Sequence, residues 1–388
     1  MPRNKSVDIQ SLLDGALENW KQGGPDELVI TRKNEYLDKE IFSVIYKLAE
    51  GEEKTNLWAT VGDKKIQLEV PVPLKPTKVE KPWGHELWYT GMEARGESHV
   101  VTPQGDLPLS RFLTLSPEIS RNTPIILIKQ LNPHSEPMLG DLYLEAHHTK
   151  HEVYFVTNID RGAWPQGDAK IRLGINQTIR SKYNSDNDFR QAYLESIEEY
   201  RLAHDLEDNT KESVQDKIRF RQKMNTFTNM VSVTEGTIID VPPLIPHSLQ
   251  HGVQVLELQT PTYERMVISA SQPLATQENW DSEQAVNEIS FSSATVYKQT
   301  KIERGFIPVA SPKGFEAWKI QIEPGDTHLF EADLAYGICV TIDGNSVIGE
   351  LPQTKNEACF IPGSSLPIHF RNTAKVPAVC LVSGPFNN

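Results

Sequence analysis

The sequence has few cysteines and fewer basic residues than acidic ones. Its three cysteines, Cys339, Cys359 and Cys380, cannot all pair, and they do not have the spacing of a zinc motif. We therefore expect free thiols and a reducing cytoplasm. The 39 Lys and Arg against 52 Asp and Glu give a net charge of -13, which opposes attraction to a phosphate backbone. We expect no nucleic-acid partner, although a small anionic ligand can still bind where cations cluster locally.

Long apolar runs are also missing. No run approaches the roughly 20 residues that a membrane-spanning helix needs, and no apolar signal core follows the first ten residues. Hydrophobic residues make up 38% of the chain and charged residues 23%, which is typical of a globular protein. We expect no membrane partner and two or three domains. The oligomeric state cannot be predicted from these features.

Residues 1–75 are predicted to form a small α/β region. Apolar residues recur there at helical spacing, and two β-like runs follow. The predicted elements are helices over 9–20 and 36–48 and strands over 56–61 and 66–70. Four prolines in residues 70–82 then predict an extended connector to the next unit.

Residues 76–275 are predicted to form a β domain, and 289–388 a second one, with a polar link at 271–288. Short β-like runs are separated by Pro, Gly, Asn and Asp, as in barrels and sandwiches. Between about 186 and 228, Phe189, Tyr193 and Ile197 recur at helical intervals, which predicts an inserted helical hairpin. The predicted strands cover 112–115, 125–130, 153–157, 169–175, 237–241, 253–259, 266–269, 318–322, 338–342, 346–348, 358–361 and 378–382.

Residues 140–156 concentrate imidazole and carboxylate groups between two strand-like runs. Glu145 and His147 point to the same side of a strand because side chains alternate, and Glu152 follows after a short loop. Further along, Pro246 precedes His247 after a proline-stiffened turn, which suits a ligand that must be held in place. Imidazoles mixed with carboxylates form a donor set that suits Zn, Mn or Fe(II).

Another carboxylate lies on a predicted inward strand face. Glu257 shares a face with Val255 in an alternating strand, and a buried carboxylate is costly unless it is used or paired. Lys150 lies in the loop between the candidate ligands, as a site residue or as a solvated lysine. Arg265 is either a site residue or the partner of an acid such as Glu264.

These motifs resemble the two motifs of the cupins, and within the cupins they are similar to type I mannose-6-phosphate isomerases. The cupin matches are His147 and Glu152 for the first motif, and Gly236, Pro242 and His247 for the second. The isomerase matches are Glu145-Ala-His147, Lys150-His-Glu152-Val-Tyr154, Pro246-His247, Glu257-Leu-Gln259 and Tyr263-Glu-Arg265. Glu145 stands where those isomerases have Gln. The resemblance covers about residues 80–388.

The resemblance implies a mainly β fold of two cupin (jelly-roll) barrels in tandem, with a helical hairpin insertion. The second barrel is expected to lack metal ligands, since Pro367 stands where a histidine would fall. The first is expected to hold a divalent metal, Zn²⁺ first, with Mn²⁺ and Fe²⁺ as alternatives. The implied ligands are Glu145, His147, Glu152 and His247. The implied catalytic residues are Lys150, Glu257 and Arg265.

The activity implied is isomerisation of a phosphorylated aldose to a ketose through an enediol, most directly mannose 6-phosphate to fructose 6-phosphate. The partner is then a small-molecule sugar or sugar phosphate. Two alternatives stay open. One is a cupin isomerase of an unphosphorylated sugar, and the other is a non-catalytic, metal-containing cupin that binds a sugar.

Overall fold

A computed structural model of the protein describes residues 27–33, 41–48, 55–61, 64–103, 105–116, 119–136, 142–206, 210–274, 277–292, 294–297 and 305–386. The strands are, in chain order, β1 (Glu27–Lys33), β2 (Ile41–Leu48), β3 (Thr55–Val61), β4 (Lys64–Gln67), β5 (Val72–Lys75), β6 (Thr77–Lys81), β7 (Gly84–Trp88), β8 (Met92–Glu93), β9 (Gly96–Glu97), β10 (His99–Thr102), β11 (Gly105–Pro108), β12 (Leu127–Pro133), β13 (Leu144–Ala146), β14 (Glu152–Ile159), β15 (Ala169–Ile175), β16 (Thr228–Val233), β17 (Ile238–Val241), β18 (His247–Ser248), β19 (Val253–Gln259), β20 (Met266–Ser269), β21 (Thr295–Tyr297), β22 (Gly305–Ala310), β23 (Glu316–Ile322), β24 (Thr327–Phe330), β25 (Tyr336–Asp343), β26 (Ser346–Ile348), β27 (Leu351–Gln353), β28 (Ala358–Pro362), β29 (Ile368–Arg371) and β30 (Ala378–Gly384). The helices are Leu109–Leu113, Gln177–Arg180, Asp186–Asp205, Lys211–Asn225 and Ser282–Glu288, with a short 3-10 turn at Gly363–Ser365.

Four antiparallel sheets form two barrels in tandem. In the first barrel the five-stranded sheet β16-β15-β18-β13-β20 faces the seven-stranded sheet β21-β17-β14-β19-β12-β7-β6. In the second, the eight-stranded sheet β11-β10-β5-β28-β25-β30-β23-β22 faces the four-stranded sheet β24-β29-β26-β27. The predicted mainly β, tandem-barrel architecture is confirmed.

Side-chain alternation places β14 between two cores. Tyr154 points into the first barrel, where it packs with Ile171 and Val267 of the opposite sheet. Phe155 points the other way and packs against Phe360 of the eight-stranded sheet. Because both faces of the strand are buried, its sequence is a continuous apolar run rather than an alternating one. The two barrels therefore pack through their large sheets.

The predicted helical hairpin covers the outer face of the five-stranded sheet. Asp186–Asp205 and Lys211–Asn225 are its two helices, each with a hydroxyl side chain that caps the first turn. Phe189, wholly buried, packs with Ile268 of β20 in one apolar cluster. Among the described helices, none is long and apolar enough to cross a bilayer.

A separate four-stranded antiparallel sheet, β1-β2-β3-β4, precedes the barrels. The predicted helix over 36–48 is wrong for 41–48, which form β2. That segment is rich in β-branched and aromatic residues, which favour a strand. The predicted strand pair is confirmed as the β3–β4 hairpin, although β4 ends at Gln67. The helix predicted over 9–20 lies outside the described residues.

Two further predictions are wrong in part. The strand predicted over 112–115 is replaced by the helix Leu109–Leu113, whose residues Leu109 and Phe112 bury one face at helical spacing. The polar link over 271–288 contains the helix Ser282–Glu288, which buries Ala285 and Val286. In both places a helix of one or two turns is too short for its period to stand out.

The eight-stranded sheet takes strands from two distant parts of the chain. Its members β5, β10 and β11 come from residues 72–108, whereas β22, β23, β25, β28 and β30 come from residues 305–384. The domain limits 1–75, 76–275 and 289–388 stay a prediction.

Candidate active site

A pocket of about 330 Å³ lies between the inward faces of the first barrel's two sheets. Glu93 and Arg95, on the β8–β9 hairpin, border it on one side. Six of the seven predicted site residues line it: Glu145, Lys150, Glu152, His247, Glu257 and Arg265. The seventh, His147, is buried beside them.

Three of the four predicted metal ligands form one cluster, and the fourth, Glu152, adjoins its two imidazoles. Donor atoms of Glu145, His147 and His247 are within 4.8 Å of one another, because Glu145 in β13 is directly opposite His247 in β18. Glu152 begins β14 and lies between the two imidazoles. Its Oε1 is 3.1 Å from Nε2 of His147, and its Oε2 is 3.2 Å from Nε2 of His247.

This cluster fits a divalent metal ion. Nε2 of His147, Nε2 of His247 and Oε2 of Glu145 are buried; the two imidazole nitrogens lie 3.1 and 3.2 Å from Glu152, but none of the three atoms makes a well-aligned hydrogen bond among the described residues. An unsatisfied buried polar group costs about 1–3 kcal/mol, so another ligand is expected there. Nδ1 of His247 lies 2.8 Å from the carbonyl oxygen of Ile245, which can only accept, so Nε2 presents its lone pair to the cluster. The mixed nitrogen and oxygen donors suit Zn²⁺, Mn²⁺ or Fe²⁺.

Burial and neighbouring charges prepare His147 and Glu152 for a metal. Burial, reinforced by the ammonium of Lys150, lowers the pKa of His147 to about 4, so the imidazole is neutral at pH 7, as a ligand must be. Burial acts to raise the pKa of Glu152, but Lys150 and His147 outweigh it and hold that pKa well below its ordinary value. The Tyr154 hydroxyl donates to Oε2 of Glu152 at 2.7 Å and orients the carboxylate.

Glu257 is a second buried carboxylate, on the inward face of β19. It points into the barrel like Val255, as the alternation predicts. Burial raises the pKa of Glu257 to about 7; Lys129 opposes this rise and Glu152 adds to it. Oε1 of Glu257 has no hydrogen-bond partner among the described residues. A pocket carboxylate that titrates near neutral pH can take up and return a proton.

Lys129 is a pocket residue that the sequence reasoning missed. Its Nζ donates to Oε1 of Gln259 at 2.8 Å and lies 3.5 Å from Oε1 of Glu257. Lys129 is directly opposite Glu257 on one neighbouring strand and Trp88 on the other. In the sequence, Lys129 stands out only as a lysine within an apolar strand. That it pairs with Glu257 follows from the register of β12 and β19.

Lys150 and Arg265 each lie beside one carboxylate of the metal cluster. Nζ of Lys150 is 2.7 Å from Oε1 of Glu152. Nε of Arg265 is 3.6 Å from Oε2 of Glu145. Glu264, the alternative partner considered for Arg265, accepts a hydrogen bond from the backbone N–H of Lys150 at 2.6 Å and so anchors the loop that carries Lys150.

Comparison with known proteins identifies this architecture. No family model and no curated protein matches the sequence. The solved mannose 6-phosphate isomerase of Bacillus subtilis matches with a TM-score of 0.59 at 14% identity, over 81% of this chain and 99% of that one. A zinc-bound mannose 6-phosphate isomerase gives 0.60 at 11% identity, over 82% and 100%. A mutant of the Salmonella typhimurium phosphomannose isomerase gives 0.59 at 11% identity, over 82% and 100%. The chain has the cupin fold of the type I mannose 6-phosphate isomerases.

The resemblance found in the motifs is therefore confirmed at the level of the fold. One structure with this mannose 6-phosphate isomerase fold carries zinc, and the cluster of Glu145, His147 and His247 is a possible metal site here.

Proposed function

We propose that the protein is a metal-dependent aldose–ketose isomerase that interconverts mannose 6-phosphate and fructose 6-phosphate. The observation that carries the proposal is the position of Glu257, a buried carboxylate with a pKa near 7, in the same pocket as the Glu/His/His cluster. Isomerisation moves a proton between C1 and C2 of the open-chain sugar. It needs one group that carries this proton and others that stabilise charge on the sugar oxygens.

Glu257 is the proposed proton carrier. In its ionised form it takes the proton from C2 of mannose 6-phosphate as O1 accepts a proton to give the enediol. It then returns the proton to C1 as O2 releases its own, so that one proton moves from C2 to C1 and one from O2 to O1. A pKa near the working pH suits both halves of this transfer, since the group must be basic first and acidic afterwards. Lys129, 3.5 Å away, keeps the ionised form accessible in a buried site.

The proposed metal ligands are Glu145, His147, Glu152 and His247. A divalent ion held by them would supply a Lewis acid for the sugar oxygens at C1 and C2. The hydroxyl of Tyr154 fixes the orientation of Glu152, as a group outside the ligand set often does in metal sites.

Lys150 and Arg265 are proposed to stabilise negative charge on the same oxygens. Both lie within 4 Å of a metal-site carboxylate, at 2.7 Å and 3.6 Å. This puts them at the end of the pocket where the enediol forms. An ammonium and a guanidinium there can donate to the sugar oxygens as charge develops on them.

An isomerase of an unphosphorylated sugar is the second candidate. One observation favours it: among the described residues, each cation that lines the pocket lies within 4 Å of a carboxylate, which offsets its charge. The pairs are Lys81–Glu86, Arg95–Glu93, Lys129–Glu257, Lys150–Glu152 and Arg265–Glu145. A sugar-binding cupin without turnover would not need the poised acid at Glu257.

We also propose that the protein works in the cytoplasm. Cys339, Cys359 and Cys380 are all free and buried, an arrangement that suits a reducing compartment.

The test is turnover of mannose 6-phosphate, mannose and lyxose by the purified protein, with fructose 6-phosphate or the matching ketose as product. Metal-dependent turnover of mannose 6-phosphate supports the proposal. Turnover of only the free sugars moves the assignment to the second candidate. Binding without turnover of any of them leaves a sugar-binding cupin.

A further inference from the structure

The pocket has a second polar region, around the indole of Trp88. Lys81, Arg95 and Lys129 place their cationic groups 5.9, 5.5 and 5.5 Å from that ring's centre. Trp88 on β7 is two strands away from Glu257 on β19, with β12 between them. Nζ of Lys129 lies 3.5 Å from Oε1 of Glu257 and 5.5 Å from the ring centre, so Glu257 and the ring are at most about 9 Å apart, comparable to the reach from the reacting carbons of a hexose phosphate to its phosphate.

Two of these cations are committed to buried partners. The side chains of Lys81 and Lys129 are 8% and 14% exposed, and their partners Glu86 and Glu257 are 10% and 6% exposed. Withdrawing a cation from such a pair leaves an uncompensated buried charge, which is strongly unfavourable. Neither lysine can readily change partner when a ligand enters.

Arg95 differs from both lysines. Its side chain is 46% exposed, and its partner Glu93 is two residues away on the same hairpin. Glu93 is 19% exposed and its Oε1 is buried, but the guanidinium itself reaches solvent, so an incoming anion can bind its outer side while the bonds to Glu93 stay in place. Its Nε and Nη2 both bind Oε2 of Glu93, while Nη1 has no partner among the described residues. A guanidinium has five N–H donors in a planar fork that matches phosphate.

We propose that Arg95 binds the phosphate group of the substrate and thereby sets the preference for a phosphorylated sugar. This inference rests on the proposed isomerase function, and it assigns different parts of the substrate to two arginines. Arg265, beside Glu145, serves the reacting end of the sugar, and Arg95, over Trp88, serves the far end. Glu93 weakens phosphate binding, because its carboxylate competes for the guanidinium of Arg95.

The experiment is isothermal titration of the full-length protein with inorganic phosphate, mannose 6-phosphate and mannose. Arg95→Gln should weaken binding of both phosphates at least tenfold and leave mannose binding unchanged. Arg95→Lys should recover part of the loss, and Glu93→Gln should tighten both phosphates. Arg219→Gln is the matched control: this exposed arginine of the helical hairpin pairs with Asp216, and its loss should change nothing.

Equal phosphate binding by the wild type and Arg95→Gln overturns the inference. It is also overturned if Arg95→Gln loses as much affinity for mannose as for the phosphates, because that result would indicate a structural role. The outcome is separable from that of the proposed function. If the wild type isomerises mannose 6-phosphate but Arg95→Gln binds it normally, only the phosphate anchor fails. If phosphate binding depends on Arg95 but no sugar turns over, only the isomerase proposal fails.

Discussion

Replacing Lys129 by methionine should move the acidic limb of the pH–rate profile to higher pH. The limb reports ionisation of Glu257, because the proposed base must lose its proton before it can act. Lys129 lowers the pKa of Glu257, which burial has raised to about 7. Without the ammonium the ionised carboxylate is less favourable, so its pKa rises and the rate begins to climb at a higher pH.

The size of the shift follows from the separation of the two groups. At 3.5 Å and an effective dielectric constant of about 20, a pair of unit charges interacts by about 5 kcal/mol, which is equivalent to roughly 3.5 pH units as a ceiling. Lys150 also acts on Glu257, and water can enter the space left by the ammonium. We therefore expect a shift of roughly one to two pH units.

The assay is the rate of mannose 6-phosphate isomerisation from pH 5 to 9, at the same metal loading for each variant. Lys75→Met is the control, since Lys75 is exposed and pairs with Asp106 outside the pocket; its profile should match the wild type. Thermal unfolding verifies that Lys129→Met is folded. A limb that stays in place, or moves to lower pH, would refute Glu257 as the titrating base.

Three further predictions address stability and metal binding. A Glu257 pKa raised from 4.5 to about 7 means that the folded protein loses about 3 kcal/mol as pH rises through this window. Glu257→Gln should therefore raise the melting temperature at pH 8 but not at pH 4, by calorimetry with chelator present, and equal melting at pH 8 would contradict the buried charge. His247→Ala should lose stoichiometric metal, measured by mass spectrometry, while a retained full complement would remove His247 from the ligands. Phe189→Ala should cost about 3–5 kcal/mol in urea unfolding, because its ring packs on Tyr193 and Phe227; a cost below about 1 kcal/mol would show that the hairpin adds little stability.

Strands with two buried faces or clean alternation were predictable from the sequence alone. The bounds predicted for β15, β19, β20 and β26 coincide with those in the structure. In these segments local β propensity, burial and turn residues agree. The motif residues of the metal cluster were also within reach, since strand alternation and a rigid turn bring Glu145 and His247 to adjacent strands.

The features that could not be predicted from the sequence depend on the register between strands or on short helices. Residues 41–48 fit a helical period as well as a strand. Their β-branched and aromatic residues favour the strand, and pairing with β1 and β3 fixes it. Lys129 has no motif of its own, and its role follows from lying directly opposite Glu257. Arg95 is remote in sequence from every motif and reaches the pocket only through the β8–β9 hairpin.

The most direct test of the central claim is the isomerisation of mannose 6-phosphate by the wild type and by Glu257→Gln, each before and after chelation and with Zn²⁺ or Mn²⁺ restored. The account predicts wild-type turnover that chelation abolishes and metal restores. It predicts that Glu257→Gln binds metal normally but turns over about 10²–10⁴-fold more slowly. Turnover that is indifferent to chelation, or undiminished in Glu257→Gln, would contradict it.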